Sequence, residues 1–382
     1  MTDFFAIIIG AKEDSRRARL VKELRSRTRN LRESGERLDI VGQSRINSVP
    51  VDAHAVAIVL CRRGMGTSEI DAIAAAKKRS VPIIPVVADL RTFTTVAPQG
   101  VTEFNGFELS DPADIGELAG LVLESLGLQR SKRKIFISYA RMDSSAVAQQ
   151  LREAFTARWY TVFMDTISIR PGAVFQEELL QELADSDAVV LLNSPNVKHR
   201  PYVQQEIAFA DQAGVSGIQV VWPKVQRMRE GAFFMPLMLN AKNATAQNGV
   251  VTALTPTGIK QVLRRVADMR TAMQRHREKE MLSPVRAYAQ TKGWKVVPYL
   301  GRHIELHDDV TRIRIDMALG VPTSRDLERA FQAASAGIPG GKLLYDPLGI
   351  TNSQADHLNF LGSHLRLQYL DPKTALQWTV IP

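Results

Sequence analysis

Short apolar runs alternate with helix-length stretches along the first two thirds of the chain, and this alternation constrains the fold more than any other feature. The runs FFAIII, AVAIVL and AVVLL are strand-sized and are bounded by polar or turn-forming residues. Strands that are apolar on both faces are buried on both faces, and strands that alternate with helices form parallel sheets between two helical layers. The sequence therefore predicts an α/β fold with doubly wound parallel sheets.

The alternation passes through the chain twice. In the first pass the predicted strands are 4–9, 38–41, 55–60 and 81–87, and the predicted helices are 14–32, 68–78 (with Ser68 as N-cap) and 114–126. In the second pass the strands are 135–138, 161–164, 188–192 and 218–221, and the helices are 144–158, 175–184 and 203–212. A basic helix from about residue 258 closes the second pass.

The two passes look like an internal repeat. The segment HAVAIVLC (54–61) aligns with DAVVLLNS (187–194), and each is followed by a helix that begins with Glu-Ile, at Glu69 and at Glu206. We interpret this as two copies of one flavodoxin-like domain, the first degenerate. Chance similarity is the alternative, because buried parallel strands resemble one another.

A polar, basic linker, LQRSKRK (128–134), separates the copies, and the pattern changes again near Ser283. We predict domains at 1–129, 130–282 and 283–382. The last is expected to be a small α+β domain with a helix at 284–291, an antiparallel pair at 302–306 and 311–318, and later elements at 324–334, 342–345 and 353–361. Its role is unknown from its residues, with sensing and oligomerisation as the candidates.

Composition excludes several classes of protein. No apolar run approaches the roughly 18 residues that cross a bilayer, and the single cysteine, Cys61, has no partner for an internal disulfide. We therefore expect a soluble, cytoplasmic protein with no membrane partner. The net charge of +9 would attract nucleic acid, and the densest basic runs are 132–134 and 260–279. A solvated helix face is the preferred interpretation of the second run.

Three segments of the second copy resemble the TIR (Toll/interleukin-1 receptor) domain: KIFISYARMD (134–143), YTVFMDTISIRPGAVFQEEL (160–179) and SDAVVLLNSPNVKHRPYVQQEIAFA (186–210). The family pattern is F-I-S-Y-x-x-x-D, then V-F-x-D with a loop ending x-P-G-x-x-F, then S-D-x-V-V-x-L-S before a helix with E-I. TIR domains include assembly scaffolds and enzymes that cleave the nicotinamide–ribose bond of NAD+. The resemblance implies prokaryotic-type NAD+ hydrolysis, with NAD+ as substrate and no cofactor.

The resemblance places the catalytic carboxylate at Glu206. As nicotinamide leaves, oxocarbenium character develops on the ribose, and a carboxylate stabilises that charge. By resemblance, the substrate-binding residues are Tyr139, Arg141, Phe175, Tyr202 and Ser194. For Ser194 a role in a turn or cap is the alternative. Asp143 and Asp165 are expected to bond loop backbone. In the first copy Gly10 and Ala11 stand where an aromatic is expected, so Glu69 is a poor catalytic candidate.

Enzymatic TIR domains become active when they associate. The resemblance therefore implies self-association through an assembly loop containing Ile169, Arg170, Pro171 and Gly172, a trigger molecule or partner protein, and a role in abortive defence against phage. Two other functions remain open: a non-catalytic TIR adaptor, and a related N-glycosidase acting on nucleosides or nucleotides. In the last domain, His303, Glu305 and His307 alternate along a strand, but we do not assign a metal site to them, and Asp316 is an even weaker nuclease candidate.

Overall fold

The computed structural model describes residues 4–28, 37–51, 53–164, 175–247, 250–299, 303–335 and 341–378 of the chain. The chain divides into two compact units, one of residues 1–131 with 299–301 and one of residues 132–298 with 302–382. Among the described residues, no helix combines the length and the apolar character needed to cross a membrane.

The first unit is built on one parallel sheet. Its strands are β1 (Phe4–Ile9), β2 (Leu38–Gly42), β3 (His54–Leu60), β4 (Ile83–Val87) and β5 (Phe107–Glu108), and its helices are α1 (Ser15–Thr28), α2 (Thr67–Lys78), α3 (Phe93–Val96) and α4 (Ile115–Ser125). The strand order is β2-β1-β3-β4-β5. Leu20 of α1 and Leu118 of α4 pack on one face of the sheet, whereas Ile73 of α2 packs on the other. The predicted doubly wound α/β layer is confirmed.

Helix α2 begins one residue earlier than predicted, and its N-cap is Gly66 instead of Ser68. The Glu69 carboxylate accepts a hydrogen bond from the Gly66 backbone N–H at 2.6 Å. A glutamate three positions into a helix commonly reaches back in this way, and here that contact sets the start of the helix. The prediction for Ser68 was wrong because it counted only the side chain of the capping residue.

The second unit opens with a sheet of the same topology. Its strands are β6 (Lys134–Tyr139), β7 (Thr161–Met164), β8 (Ala188–Asn193), β9 (Gly217–Val221) and β10 (Met235–Met238), and its helices are α5 (Arg141–Thr156), α6 (Phe175–Ala184) and α7 (Pro201–Gln212). The order β10-β9-β8-β6-β7 is the first sheet's order read from the other side, and neighbouring strands run parallel. Strand β10 was not predicted, because its residues are largely exposed and lack a buried-strand pattern.

A hairpin of β11 (Ala244–Gln247) and β12 (Val250–Leu254) leads into α8 (Pro256–Thr291). The Thr255 hydroxyl caps α8 by accepting the Gly258 N–H at 3.1 Å. Two separate helices were predicted here, but α8 runs through Pro284 without a break. Leu282 and Val285, on either side of that proline, are both buried in the core of the third sheet. This packing holds the helix together where local propensity favours a break.

The third sheet is mixed. It has the order β13 (Lys295–Tyr299), β14 (His303–His307), β15 (Arg312–Met317), β16 (Gly341–Leu344) and β17 (Leu367–Leu370), with helices α9 (Ser324–Ser335) and α10 (Asn352–Leu365). Strands β14 and β15 form the predicted antiparallel pair, whereas β15, β16 and β17 run parallel. The sequence pattern did not predict β17, whose residues are only half-buried except for Leu370.

Loops of the third sheet's domain contact α6 in the second unit. The Thr351 backbone N–H donates to the Gln181 side-chain oxygen at 3.2 Å, and the Val321 N–H donates to the Asp185 carboxylate at 3.2 Å. Leu348 packs beside the apolar core between α6, α7 and the sheet. The C-terminal domain is therefore attached to the helix layer that covers one face of the TIR-like sheet.

We predict that Gly349→Ala weakens this attachment. Gly349 has φ +78°, and a Cβ there would lie 2.7 Å from Ala184 Cβ and 2.9 Å from the Leu180 carbonyl oxygen. Strain and overpacking together should lower the free energy of unfolding by about 2–5 kcal/mol in urea denaturation. Gly293→Ala is the matched control, because Gly293 has φ +71° with no atom within 4 Å of its added Cβ. Equal losses from both variants would contradict a packing role for Gly349.

Candidate active site

The candidate site lies at the carboxyl ends of β6 and β8. These two strands are neighbours, and the chain leaves them in opposite directions: α5 packs on one face of the sheet and α7 on the other. In open α/β sheets a crevice forms at such a point, and ligands bind there outside the carboxyl ends of the strands.

Glu206 lies on α7 with its carboxylate turned toward the sheet. The residue is 5% exposed, and its Oε2 accepts a hydrogen bond of 2.6 Å from the hydroxyl of Ser138 on β6. Ser138 is itself 1% exposed. The contact joins residues 68 positions apart and fixes a carboxylate at the mouth of the crevice. Ser138 belongs to the FISY motif, but sequence analysis did not select it as a site residue.

The loop after β8 is tied to the start of α5 through Asp143. One Asp143 oxygen accepts the Ser194 hydroxyl at 2.7 Å, and the other accepts the Asn196 backbone N–H at 3.0 Å. The structural role predicted for Asp143 agrees with these bonds. Ser194 is buried with its hydroxyl committed to this contact, which matches the alternative that it is a loop residue more closely than a ribose contact.

Two further buried polar residues lie on neighbouring strands, Asn193 at the end of β8 and Gln219 inside β9. The Asn193 side-chain amide donates to Gln219 Oε1 at 3.2 Å, and the same oxygen accepts the Met228 backbone N–H at 3.1 Å. These bonds order the segment after β9 against the sheet. Their sequence signal was a polar residue ending one apolar strand and another inside the next.

The remaining predicted residues occupy different surroundings. Tyr139 is 6% exposed and packs in the core on the α5 side, opposite the face that Ser138 and Glu206 share, because successive strand residues point to opposite faces. The structure therefore does not bring the Tyr139 ring to Glu206. Tyr202 is 61% exposed at the start of α7, and Arg141 is exposed at the start of α5. Both lie on elements that border the crevice.

Several predicted residues lie outside what the structure describes. Phe175 is the first residue of α6, as predicted, but its side chain is outside the described parts. Ile169, Arg170, Pro171 and Gly172, together with Asp165, also fall outside the described residues.

The first copy holds its glutamate differently. Glu69 is buried, but it forms an ion pair of 2.8 Å with Arg62 in addition to its bond to Gly66. A guanidinium at this distance neutralises the carboxylate and is a poor neighbour for a developing cation. The contacts of Glu69 are those of a helix cap.

Strand register corrects the comparison of the two copies. Tyr139 pairs with Leu192, and Ile9 pairs with Val59. Leu192 and Val59 occupy the same place in the repeat, so Ile9 stands where the second copy has Tyr139, not Gly10 as the sequence comparison suggested. The first copy still lacks an aromatic residue there.

The histidine-rich strand β14 is paired with arginines. His303, Glu305 and His307 share one face as predicted, and Glu305 lies 3.7 Å from Arg312 across the hairpin. Burial, reinforced by the nearby Arg314 charge, lowers the pKa of His303 to about 4. In the part of the chain that the structure describes, no three His, Cys, Asp or Glu side chains are grouped to hold a metal ion.

Basic residues of the two charged runs are used inside the fold. Arg270 donates to Asp187 at 2.8 Å, and each side chain is 2% exposed. Lys134 pairs with Asp185 at 2.9 Å, and Arg277 is buried. These three cations therefore do not contribute to a solvent-facing basic surface.

Solved structures share only a loose likeness with this chain. A two-component system response regulator/GGDEF domain protein has a TM-score of 0.32 at 11% identity, covering 72% of this chain and 100% of that chain. A carbohydrate transporter from Acidothermus cellulolyticus 11B, in complex with myo-inositol, has 0.19 at 14%, covering 58% and 74%. Tagatose-6-phosphate ketose/aldose isomerase from Escherichia coli has 0.21 at 12%, covering 71% and 81%. These scores are too low to bear on function.

No curated protein matches the chain. A family model does match the segment that forms the candidate site. Residues 135–225 match the family described as TIR domain, and they span strands β6 to β9 together with α5, α6 and α7. The family match is independent of the geometry around Glu206. Residues 135–225, which carry most of the second flavodoxin-like sheet, are therefore a TIR domain.

Proposed function

We propose that the protein is a TIR-domain NAD+ glycohydrolase in which Glu206 is the catalytic residue. The observation that carries the proposal is a buried carboxylate at the β6/β8 crevice, held by a neutral hydroxyl at 2.6 Å. A carboxylate in such a site lowers the energy of a cationic transition state more than it would in water, because little solvent screens it.

The reaction breaks the C1′–N bond between ribose and nicotinamide. The pyridinium nitrogen keeps the bonding electron pair, so nicotinamide leaves neutral and needs no general acid. Positive charge develops on the ribose and faces Glu206. Water then adds to C1′ and loses a proton, which gives ADP-ribose. Phe175, Tyr202 and Arg141 are the proposed contacts to the base and the diphosphate. Tyr139 and Ser194 were also candidates, but a structural role, in the core for Tyr139 and in the loop after β8 for Ser194, explains their positions better.

The test is to incubate the protein with NAD+, nucleosides, nucleotides and deoxynucleotides and to look for free base by chromatography. Release of nicotinamide from NAD+, with no base released from the other substrates, supports the proposal. Release of bases from nucleosides or nucleotides instead would identify the protein as an N-glycosidase of another class. Assembly with other TIR domains but no base release from any substrate would identify an adaptor.

The proposal includes control by association of the TIR domains. We expect activity to rise more steeply than linearly with protein concentration, or to require a trigger that brings chains together. The turn-forming residues Pro171 and Gly172 belong to the proposed assembly loop. Replacing both by alanine should reduce assembly and NAD+ cleavage together.

A mixing experiment tests whether one chain completes the site of another. The loop variant keeps Glu206, and the Glu206→Gln variant keeps the loop, so a mixture of the two inactive proteins should regain nicotinamide release. A loop variant that is a fully active monomer, with a rate per chain independent of concentration, would contradict control by association.

As part of the same proposal, the enzyme acts in the cytoplasm, where its only cysteine, Cys61, stays a buried thiol. NAD+ depletion is then the basis of abortive defence against phage, and its test is survival of phage-infected cells that express the wild type or Glu206→Gln. The trigger is the remaining partner, and the C-terminal domain on α6 is the proposed place where it acts.

A further inference from the structure

Glu206 contacts a residue that no motif argument selected. Ser138 Oγ donates to Glu206 Oε2 at 2.6 Å, within the short range of a hydroxyl bonded to a charged oxygen. Ser138 is 1% exposed and Glu206 is 5% exposed. Water therefore has little access to this oxygen. The serine hydroxyl donates the kind of hydrogen bond that water would donate to a carboxylate at the surface.

The serine is well placed to fix a position. Strand β6 is bonded to β7 on one side and β8 on the other, and Ser138 pairs with Leu191 in the middle of this sheet. Its Cα cannot move without disturbing the ladder that joins β6 to β8. Helix α7 packs on the sheet through apolar side chains such as Val203 and Ile207, and the bond to Ser138 adds a fixed point for the Glu206 carboxylate relative to β6.

The first copy provides an internal comparison. Ile8 pairs with Ile58 at the place where Ser138 pairs with Leu191, and so β1 offers Glu69 no hydroxyl. Glu69 is instead paired with the guanidinium of Arg62. A hydroxyl orients a carboxylate without bringing a positive charge, whereas an arginine brings a charge that opposes a cationic transition state.

We propose that Ser138 is a positioning residue for Glu206 in NAD+ cleavage. This inference rests on the proposed function. The Ser138 hydroxyl holds one oxygen of Glu206 and favours its ionised form, because a donor stabilises a charged acceptor. It does not touch the substrate.

Two substitutions separate hydrogen bonding from packing. Ser138→Thr keeps the hydroxyl and changes the volume, whereas Ser138→Cys keeps the approximate volume and replaces the hydroxyl by a weak donor. Ser138→Ala removes the donor altogether. Ser186→Ala is the matched control, because Ser186 is also 1% exposed but its hydroxyl donates to the Glu182 backbone carbonyl at 2.8 Å.

We expect kcat for nicotinamide release to fall about tenfold or more in Ser138→Ala, with KM little changed, because a hydrogen bond to a charged group has been lost. The acid side of the pH–rate profile should move to higher pH, since protonation of the glutamate is no longer opposed by the donor. Ser138→Cys should behave like Ser138→Ala, and Ser138→Thr should stay near the wild-type rate. Ser186→Ala should keep the wild-type kcat and pH profile, and thermal unfolding checks that each variant is folded.

Three outcomes overturn the inference. An unchanged kcat and pH profile in folded Ser138→Ala would show that the bond does not matter for the reaction. A wild-type rate in Ser138→Cys with a loss in Ser138→Thr would show a packing role. If assembled wild type, Glu206→Gln and Ser138→Ala all release nicotinamide at background rate, the proposed function itself has failed, and this inference fails with it.

Discussion

The Glu206→Gln variant is expected to release nicotinamide at least about a hundredfold more slowly than the wild type while staying folded. Loss of one preorganised electrostatic group in an active site typically costs this much in rate. The amide keeps the volume of the side chain and an oxygen that can accept from the Ser138 hydroxyl. The hydrogen bond of 2.6 Å can therefore still form in the variant. Only the negative charge that the proposed reaction places opposite the ribose is removed.

The measurement is nicotinamide release by chromatography at a protein concentration where the wild type is active, with thermal unfolding of both proteins. A folded variant that retains more than about a tenth of the wild-type rate would contradict the role of Glu206. Removing a group that stabilises the charge of the transition state lowers the rate by a larger factor.

Glu69→Gln is the matched control from the first copy. Glu69 aligns with Glu206 in the repeat and is also buried, but it is the third residue of α2, whereas Glu206 is the sixth of α7. Its contacts are with Arg62 and the Gly66 N–H. We expect turnover near the wild-type rate, with some loss of stability because Arg62 loses its ion pair. A loss of activity as large as that of Glu206→Gln would mean that the first copy holds the catalytic site, or that both copies contribute to one.

The parallel sheets were predictable because their strands carry a local signal. A strand buried on both faces is a continuous apolar run, and β1 and β8 read as such. Strands β10 and β17 have no such signal, since neighbours in space hold them in the sheet. Helix α8 was divided at Pro284 for the same reason: burial of the residues around the proline outweighs its local effect.

The site was predictable in part. Motif order located Glu206, but the bond to Ser138 joins residues far apart in sequence and needed the fold. The face of Tyr139 could have been deduced, because Ile135, Ile137 and Tyr139 alternate with Ser138 along β6 and so point to the face opposite it. What the sequence lacked was the side of the sheet on which α7 packs, and hence which of the two faces carries the site.

The second large effect is expected at the other end of the same strands. Arg270→Met should lower the free energy of unfolding by about 3–5 kcal/mol, because it leaves the Asp187 carboxylate buried without its cation. Arg270 Nε lies 2.8 Å from Asp187 Oδ2, and each side chain is 2% exposed. Urea denaturation measures the change. Arg265→Met is the matched control: Arg265 is exposed on the same helix, and we expect a change within about 0.5 kcal/mol.

A double variant shows whether the lost stability belongs to the unpaired charge. In Arg270→Met with Asp187→Asn, both charges of this pair are removed, and the asparagine oxygen can still accept from Gln274, which lies 3.0 Å from Asp187. Most of the lost stability should return. A double variant as unstable as Arg270→Met alone, or an Arg270→Met variant as mild as Arg265→Met, would contradict this account. Because Asp187 immediately precedes β8, which leads to the Glu206 helix, a loss here should also weaken NAD+ cleavage at temperatures where the single variant begins to unfold.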